Sequence, residues 1–437
     1  MALAYLSSTL RKNGIGTWVS DFNILLHNRI EEPLRKYWEL TSSTFWARPE
    51  VFRGSFSAET KSFVSAFVDE LIARDEDMIG FSTQSASCMF TLEIVRALRE
   101  RGCRKTLVLG GPSVRLQTPG DAGSVGLTGF KPEGLDESAA RREIQPFLDL
   151  VDVFVEGEGE MTLLELARRH QSGEALEGTP GAVVWNHGRP SSFRARPPVA
   201  NLDDIPFPTF EEFDLAAYDK RVLPFLTSRG CVRKCAMCYE RILWPGYRHR
   251  GIRAILEEMR AHIDRWGINQ FSCNDLLLNG NLLFLGELCD AIAASGLNLD
   301  WWGNAVVHRL MDRPFFKRLR AGRVGALVYG IESGSQKILR KMRKGYIVED
   351  ADQVLRYGSE VGIKNVINLM VGFPGESQED HRATIGFVER NRDAISHVGV
   401  LAMTMIYPHS PLSEQWEYYG IEPGSLDQFN PYSVNVD

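Results

Sequence analysis

Cys231, Cys235 and Cys238 fall within the stretch SRGCVRKCAMCYE (Ser228–Glu240), spaced CxxxCxxC, and account for three of the chain's seven cysteines. A thiolate is a metal ligand, and the number of thiolates decides what can be held. Four would close a structural zinc site or fully coordinate an iron–sulfur cluster, whereas three on a four-iron cluster leave one iron open to a substrate or cofactor. Two other arrangements fit the same spacing. The three positions could form a buried helical face, which Gly230, Arg233 and Lys234 make unattractive, or a zinc site completed by His249 or Cys273.

Whatever the loop holds, strands and helices must present it. From Leu223 onward the chain alternates extended and helical signals: FLTS into the cysteine loop, a helix from about Ile252 to Trp266, NQFSC, a helix near Leu282 to Ala294, and LDWWGNA. A helix near Phe315, ALVYGIE, a helix around Val354, VINLMVG, a helix around Ile385 and VGVLAMTMI follow. Six strands alternating with helices predict a partial (β/α)6 barrel over 216–437, with functional residues in the loops after the strands. The cysteine loop follows the first of them. Tyr407 and His409 end the sixth strand, and Trp301 and Trp302 end the third; all four read first as packing and second as substrate contacts.

The stretch 1–170 reads as a second α/β module of the doubly wound, flavodoxin-like kind. Leu3, Leu6 and Leu10 recur at helical spacing with Gly14 as a stop, and Thr17–Ser20 reads as a strand. MIGFS (Met78–Ser82) enters a small polar loop and a helix carrying Leu92, Val95 and Leu98. TLVL enters Gly110, Gly111 and Pro112, and VDVFV enters EGEGE and another helix. Ligands of such sheets sit where the loops after the strands converge, so this module is shaped to hold a flat or extended cofactor. The chain opens directly in a helix, whereas a flavodoxin-type order calls for a central strand before it; the reading is a truncated N-terminus. The aromatic segment between Asn23 and Ser57 (Tyr37, Trp38, Phe45, Trp46, Phe52, Phe56) is either a packed excursion or a cover over a ligand. Residues 171–215, rich in Gly and Pro with a small hairpin near Ala182–Arg189, read as the linker.

With 437 residues the chain is long enough for two cores. A net charge of −6 argues against a nucleic-acid surface, and no apolar run is long enough to span a bilayer. An odd cysteine count with three clustered is a poor disulfide framework, so a reducing cytoplasm is expected.

The text around the cysteines resembles the radical S-adenosylmethionine (radical SAM) enzymes, in the subgroup that carries an N-terminal cobalamin-binding domain. Arg229 and Gly230 before the first cysteine, NDLLLNG (Asn274–Gly280), YGIESGS (Tyr329–Ser335) and MVGFPGES (Met370–Ser377) carry the resemblance in the second module. MIGFSTQSAS, VLGGPS and VDVFVEGEGE carry it in the first. It implies a [4Fe-4S] cluster on the three cysteines, whose open iron chelates the amino and carboxylate groups of SAM, and reductive cleavage to a 5′-deoxyadenosyl radical. Asp275, Asn304, Glu332 and Ser333 are the implied polar contacts to SAM, with Gly372, Phe373 and Pro374 as the wall near the adenine. Ser82, Thr83, Ser87, Gly110, Gly111, Glu156 and Gly157 are the implied surroundings of cobalamin.

Three departures accompany the resemblance. Met237 stands where relatives have an aromatic residue, no DxHxxG offers a histidine to the cobalt, and the chain stops soon after the sixth strand, so that a C-terminal substrate domain is either absent or cut away. The implied activity is methyl transfer to carbon or phosphorus of a small-molecule or peptide substrate, with flavodoxin or ferredoxin as electron donor. Ring formation or rearrangement without methyl transfer, and a non-catalytic iron–sulfur or corrinoid-binding protein, are the alternatives.

Overall fold

Met78–Ser82 (β1), Thr106–Gly110 (β2) and Val153–Val155 (β3) form the parallel part of a five-stranded sheet, in which Ser82 pairs with Gly110 and Leu109 with Phe154. β2 and β3 are nearly continuous apolar runs because both of their faces are covered. The helix Cys88–Glu100 buries Leu92, Val95 and Leu98 against Leu107, Leu109 and Phe154. Each such side chain taken from water stabilises by about 1.5–3 kcal/mol. This is a computed structural model, and it describes residues 1–38, 46, 52, 58–112, 114, 147–186, 189–407 and 410–422.

The chain divides into one unit of 1–199 with 205–219 and another of 200–204 with 220–437. Part of the 171–215 stretch is sheet rather than free linker. Ala182–Asn186 (β4) pairs antiparallel with β3 and Arg189–Pro190 (β5) with β4, because Ala182, Val183 and Val184 have apolar faces to bury. Thr17–Ser20 forms no strand. A strand exists only with a ladder partner, and β1 is the sheet's edge, bonded among the described residues to β2 alone. Trp18 lies instead under the Arg74 guanidinium, 4.1 Å from its carbon. Trp46 and Phe52 are packed excursion: both are buried with Leu26, Ile30 and Phe90. Phe45 and Phe56 lie outside the described residues.

The second unit is built on a six-stranded parallel sheet. Its strands in chain order are Leu223–Phe225 (β6), Gln270–Cys273 (β9), Asp300–Ala305 (β10), Val324–Glu332 (β11), Lys364–Val371 (β12) and His397–Met403 (β13), and β6 and β13 are its edges. In the chain between β6 and β9, Ser228–Arg229 (β7) pairs antiparallel with Arg248–His249 (β8) as a separate two-stranded ribbon. Helices Ile252–Trp266, Leu282–Ser295, Arg313–Ala321, Val348–Glu360 and Gln378–Arg390 make the crossovers. One face of the sheet packs on these helices. Phe225 meets Phe271 and Trp301 edge-on there, and the Trp301 indole donates to the Gly322 carbonyl at 2.8 Å. Ser272, Trp302, Asn304, Gly330 and Glu332 alternate onto the other face, which stays partly exposed. No described helix is long and apolar enough to cross a membrane.

Candidate functional site

The cysteine loop leaves β6 through Leu226 and Thr227 and enters the short β7–β8 ribbon. Gly230 follows with φ of +85°, and a Cβ there would lie 1.7 Å from the Gly246 carbonyl oxygen. Beyond it the chain is not helical, so the buried-helix reading of the three thiols is set aside. The Cys238 amide donates to the Cys235 carbonyl at 3.2 Å, and the Arg233 amide to the Cys231 sulfur at 3.4 Å. At mid-loop the Ala236 amide donates to the Met342 carbonyl at 2.9 Å while its carbonyl accepts from the Leu412 amide at 2.8 Å. Met237 is buried, and Tyr239 stacks on Tyr407 with ring centres 4.6 Å apart. Segments distant in sequence thus brace the loop from several sides.

All three thiols are partly buried; Cys231 feels the charge of Cys235, and Cys238 that of both Cys235 and Cys231. Burial raises the Cys231 thiol, against the opposing pull of Arg233 and Lys344, and pushes Cys238 up to about 11. Those cations favour the thiolate that a ligand must become. The zinc alternative loses its fourth donors. His249 stacks on Phe284 at 4.2 Å with Nδ1 on the Arg250 carbonyl, and Cys273 is fully buried on the helix-facing side of β9. No three His, Cys, Asp or Glu side chains among the described residues form a site for a single ion.

The residues expected around SAM separate into two groups. Asn304 is exposed on the open face, its amide donating to the Asp275 carbonyl at 3.2 Å. Glu332 ends β11 with φ of +68°, a strained conformation for a side-chain-bearing residue, and its carboxylate lies 3.2 Å from the Lys344 ammonium. Gly372 (φ +75°) has open space where a Cβ would stand, and Pro374 is partly exposed beside it. Asp275, Ser333 and Phe373 do not join them. Asp275 is wholly buried, with its carboxylate on Thr227 and Ser228. The Ser333 hydroxyl is buried on Thr384 and accepts from the Ser335 amide, and Phe373 packs edge-on against Tyr419 at 5.9 Å.

In the first unit the loops after β1, β2 and β3 adjoin at one end of the sheet. The Thr83 amide donates to the Gly110 carbonyl at 2.8 Å, and a Cβ on Gly111 (φ +110°) would stand 2.2 Å from the Thr83 carbonyl oxygen. Ser82 pairs with Gly110, and the Ser87 hydroxyl accepts from the Gln84 amide at 3.0 Å. The Glu156 amide is bonded to the Gly181 carbonyl, whereas Gly157 (φ +87°) opens onto empty space. Such a shelf of close-packed backbone, with room above one glycine, suits a bulky planar ligand.

Several residues escaped sequence reading: Thr227, Ser228, Arg250, Asn274, Tyr239 and Lys344. Alternation along β9 does carry a signal for one of them. Phe271 and Cys273 are buried while Ser272 and Asn274 are not, so Asn274, and not Asp275, lies on the open face. Of the weak candidates, Tyr407 meets the cysteine loop, Trp301 is helix-facing packing, Trp302 is partly exposed on the open face, and His409 lies outside the described residues.

Comparison with known proteins agrees with this geometry. Residues 225–388 match the Radical SAM superfamily. An uncharacterized methyltransferase of Pyrococcus horikoshii is 25% identical over 349 residues, covering 79% of this chain and 69% of the relative. The cytidylyl-2-hydroxyethylphosphonate methyltransferase of Streptomyces wedmorensis is 25% identical over 286 residues; the match spans 56% of this chain and about half of the relative, 53%. The radical SAM methyltransferase TsrM of Kitasatospora setae, solved with cobalamin and a [4Fe-4S] cluster, shares the fold with a TM-score of 0.68 at 19% identity, over 97% of this chain and 76% of that one. The unit that carries the three-cysteine loop is a radical SAM domain.

Proposed function

We propose that the chain is a cobalamin-dependent radical SAM methyltransferase acting on a carbon or phosphorus centre of a small-molecule or peptide substrate. The observation that carries this reading is the braced loop of Cys231, Cys235 and Cys238 after the first strand of a six-stranded parallel sheet. Its relatives with methyltransferase names support the reaction class. When bound, a cluster held by Cys231, Cys235 and Cys238 would supply one-electron reduction, and a corrinoid on the first unit's loops would supply a methyl carrier.

The chain's own part is to hold and shield. The three thiolates fix the cluster, and Arg233 and Lys344 offset the negative charge gathered at Cys231. Asn304, Glu332, Gly372 and Pro374 border the space where SAM would be oriented. Ser82, Thr83, Ser87, Gly110, Gly111, Glu156 and Gly157 form the corrinoid shelf. A reducing compartment and an electron donor of the flavodoxin or ferredoxin class complete the reading.

Anaerobic reconstitution with iron, sulfide and hydroxocobalamin tests it. About four irons per chain are expected, together with release of S-adenosylhomocysteine from SAM that ceases when cobalamin is left out. Release of 5′-deoxyadenosine without S-adenosylhomocysteine would replace methyl transfer by ring-forming or rearranging chemistry. Failure of the wild-type chain to take up iron would overturn the assignment.

A further inference from the structure

We infer that Asp275 is a positioning residue which, together with Arg250, clamps Leu226–Ser228 and so sets the cysteine loop in place before any cluster arrives. This rests on the cluster reading above for its consequence, though the clamp itself does not.

Asp275 has none of its surface exposed, and its carboxylate accepts three bonds: from the Thr227 amide at 2.8 Å, the Thr227 hydroxyl at 2.5 Å and the Ser228 hydroxyl at 2.6 Å. Its two oxygens are thus occupied inside the protein. From the other side, the Arg250 amide donates to the Thr227 carbonyl at 2.8 Å and its guanidinium to the Leu226 carbonyl at 3.0 Å. Arg250 is itself buried and held by Glu258, with Asp203 at 3.6 Å. Five polar atoms in three consecutive residues are therefore committed to two buried charged residues.

Charge-assisted bonds in a buried site are strong when made and costly to leave unmade. Ser228 then leads through Arg229 to Gly230, which packs so closely on Gly246 that a Cβ there would overlap its carbonyl oxygen. Ser228 stands three residues before Cys231, so a displacement there is carried toward the first cysteine.

The full-length chain is compared with D275A, D275N and S228A by three measurements: amide hydrogen exchange without iron, thermal melting, and cluster retention against a chelator. D275A is expected to speed exchange at 226–236 by tenfold or more while β10 and β11 stay protected, and to lose its cluster to the chelator faster than the wild type. Asn keeps an acceptor for the Thr227 amide, so D275N should recover part of both losses, and S228A should lose less than D275A. A folded D275A that melts lower yet exchanges and retains cluster like the wild type would reduce Asp275 to a stability residue and overturn the proposal. Should D275A not fold, unchanged exchange and retention in both D275N and S228A would overturn it equally. A wild-type chain that takes up no iron refutes the proposed function instead, and exchange at 226–236 still decides the clamp.

Discussion

Gly230 faces the carbonyl of Gly246 so closely that a Cβ at position 230 would stand 1.7 Å from that oxygen, and its φ of +85° is one that L-residues avoid. Gly230→Ala therefore meets both a conformational cost of about 1–2 kcal/mol and a backbone overlap that only movement of the 244–246 turn can relieve. The helices and the remaining strands do not depend on that turn. Unchanged far-ultraviolet circular dichroism with iron uptake reduced at least tenfold is expected. Normal iron content in the variant would show that the turn yields without disturbing the thiols.

The thiols make a pH prediction. Burial raises Cys231 and lifts Cys238 to about 11 from a usual value near 9. At pH 8 the Cys238 thiolate is then about a hundredfold scarcer than that of a free thiol, since each pKa unit is tenfold. Alkylation of the iron-free chain should be slow at Cys238 and accelerate toward pH 11. Because the folded chain holds this proton more tightly than the unfolded one, the stabilisation is complete below about pH 9 and is lost as pH rises toward 11. A melting temperature that falls over that window in wild type, and less steeply in Cys238→Ala, is the expected result. Loading thiolates with iron releases protons, so cluster assembly should also run faster at pH 8.5 than at pH 7.

Asp380 predicts an opposite trend. Burial alone would raise its carboxyl, but hydrogen bonds from Lys337, Ser335 and Ser377 outweigh this and hold it well below the usual range. Lowered in the folded state, it contributes stability that is present above about pH 4, the unfolded value, and is lost as pH falls below it. Through Ser335 it also fixes the YGIESGS turn after β11. Asp380→Asn should flatten the decline of melting temperature between pH 5 and pH 2; an unchanged slope would remove Asp380 from the account.

How far the sequence could be read depended on whether a feature was local. The helix Ile252–Trp266 and the strand Met78–Ser82 stand where apolar periodicity and turn residues place them, because both signals lie within the element. Thr17–Ser20 has the composition of a strand, but a strand needs a neighbour, and sequence does not show one. Polarity and position single out Asp275, whereas its role follows from Thr227 and Ser228 lying at the end of the neighbouring strand. Phe373 looks free after Gly372 until Tyr419, far along the chain, is seen against it. The spacing of the cysteines was legible; of the residues that brace their loop, Met342 and Leu412 were not, since neither is near in sequence, and Tyr407 was singled out without its stacking on Tyr239.

Two glycines of the first unit separate ligand contact from packing. Gly111 has φ of +110° with Thr83 backbone atoms at 2.2 and 2.7 Å from a built Cβ, so Gly111→Ala should force apart the loops after β1 and β2 and lower the melting temperature of the ligand-free chain. Gly157 has φ of +87° with nothing within 4 Å of a built Cβ, so Gly157→Ala carries only the backbone cost of about 1–2 kcal/mol. If a corrinoid lies against this backbone, the added methyl group occupies its space. Cobalamin titration followed by absorbance should then show at least tenfold weaker binding to Gly157→Ala, out of proportion to its small shift in melting. Wild-type affinity in that variant would take Gly157 out of the shelf and leave the loops after β1 and β2 to hold the ligand.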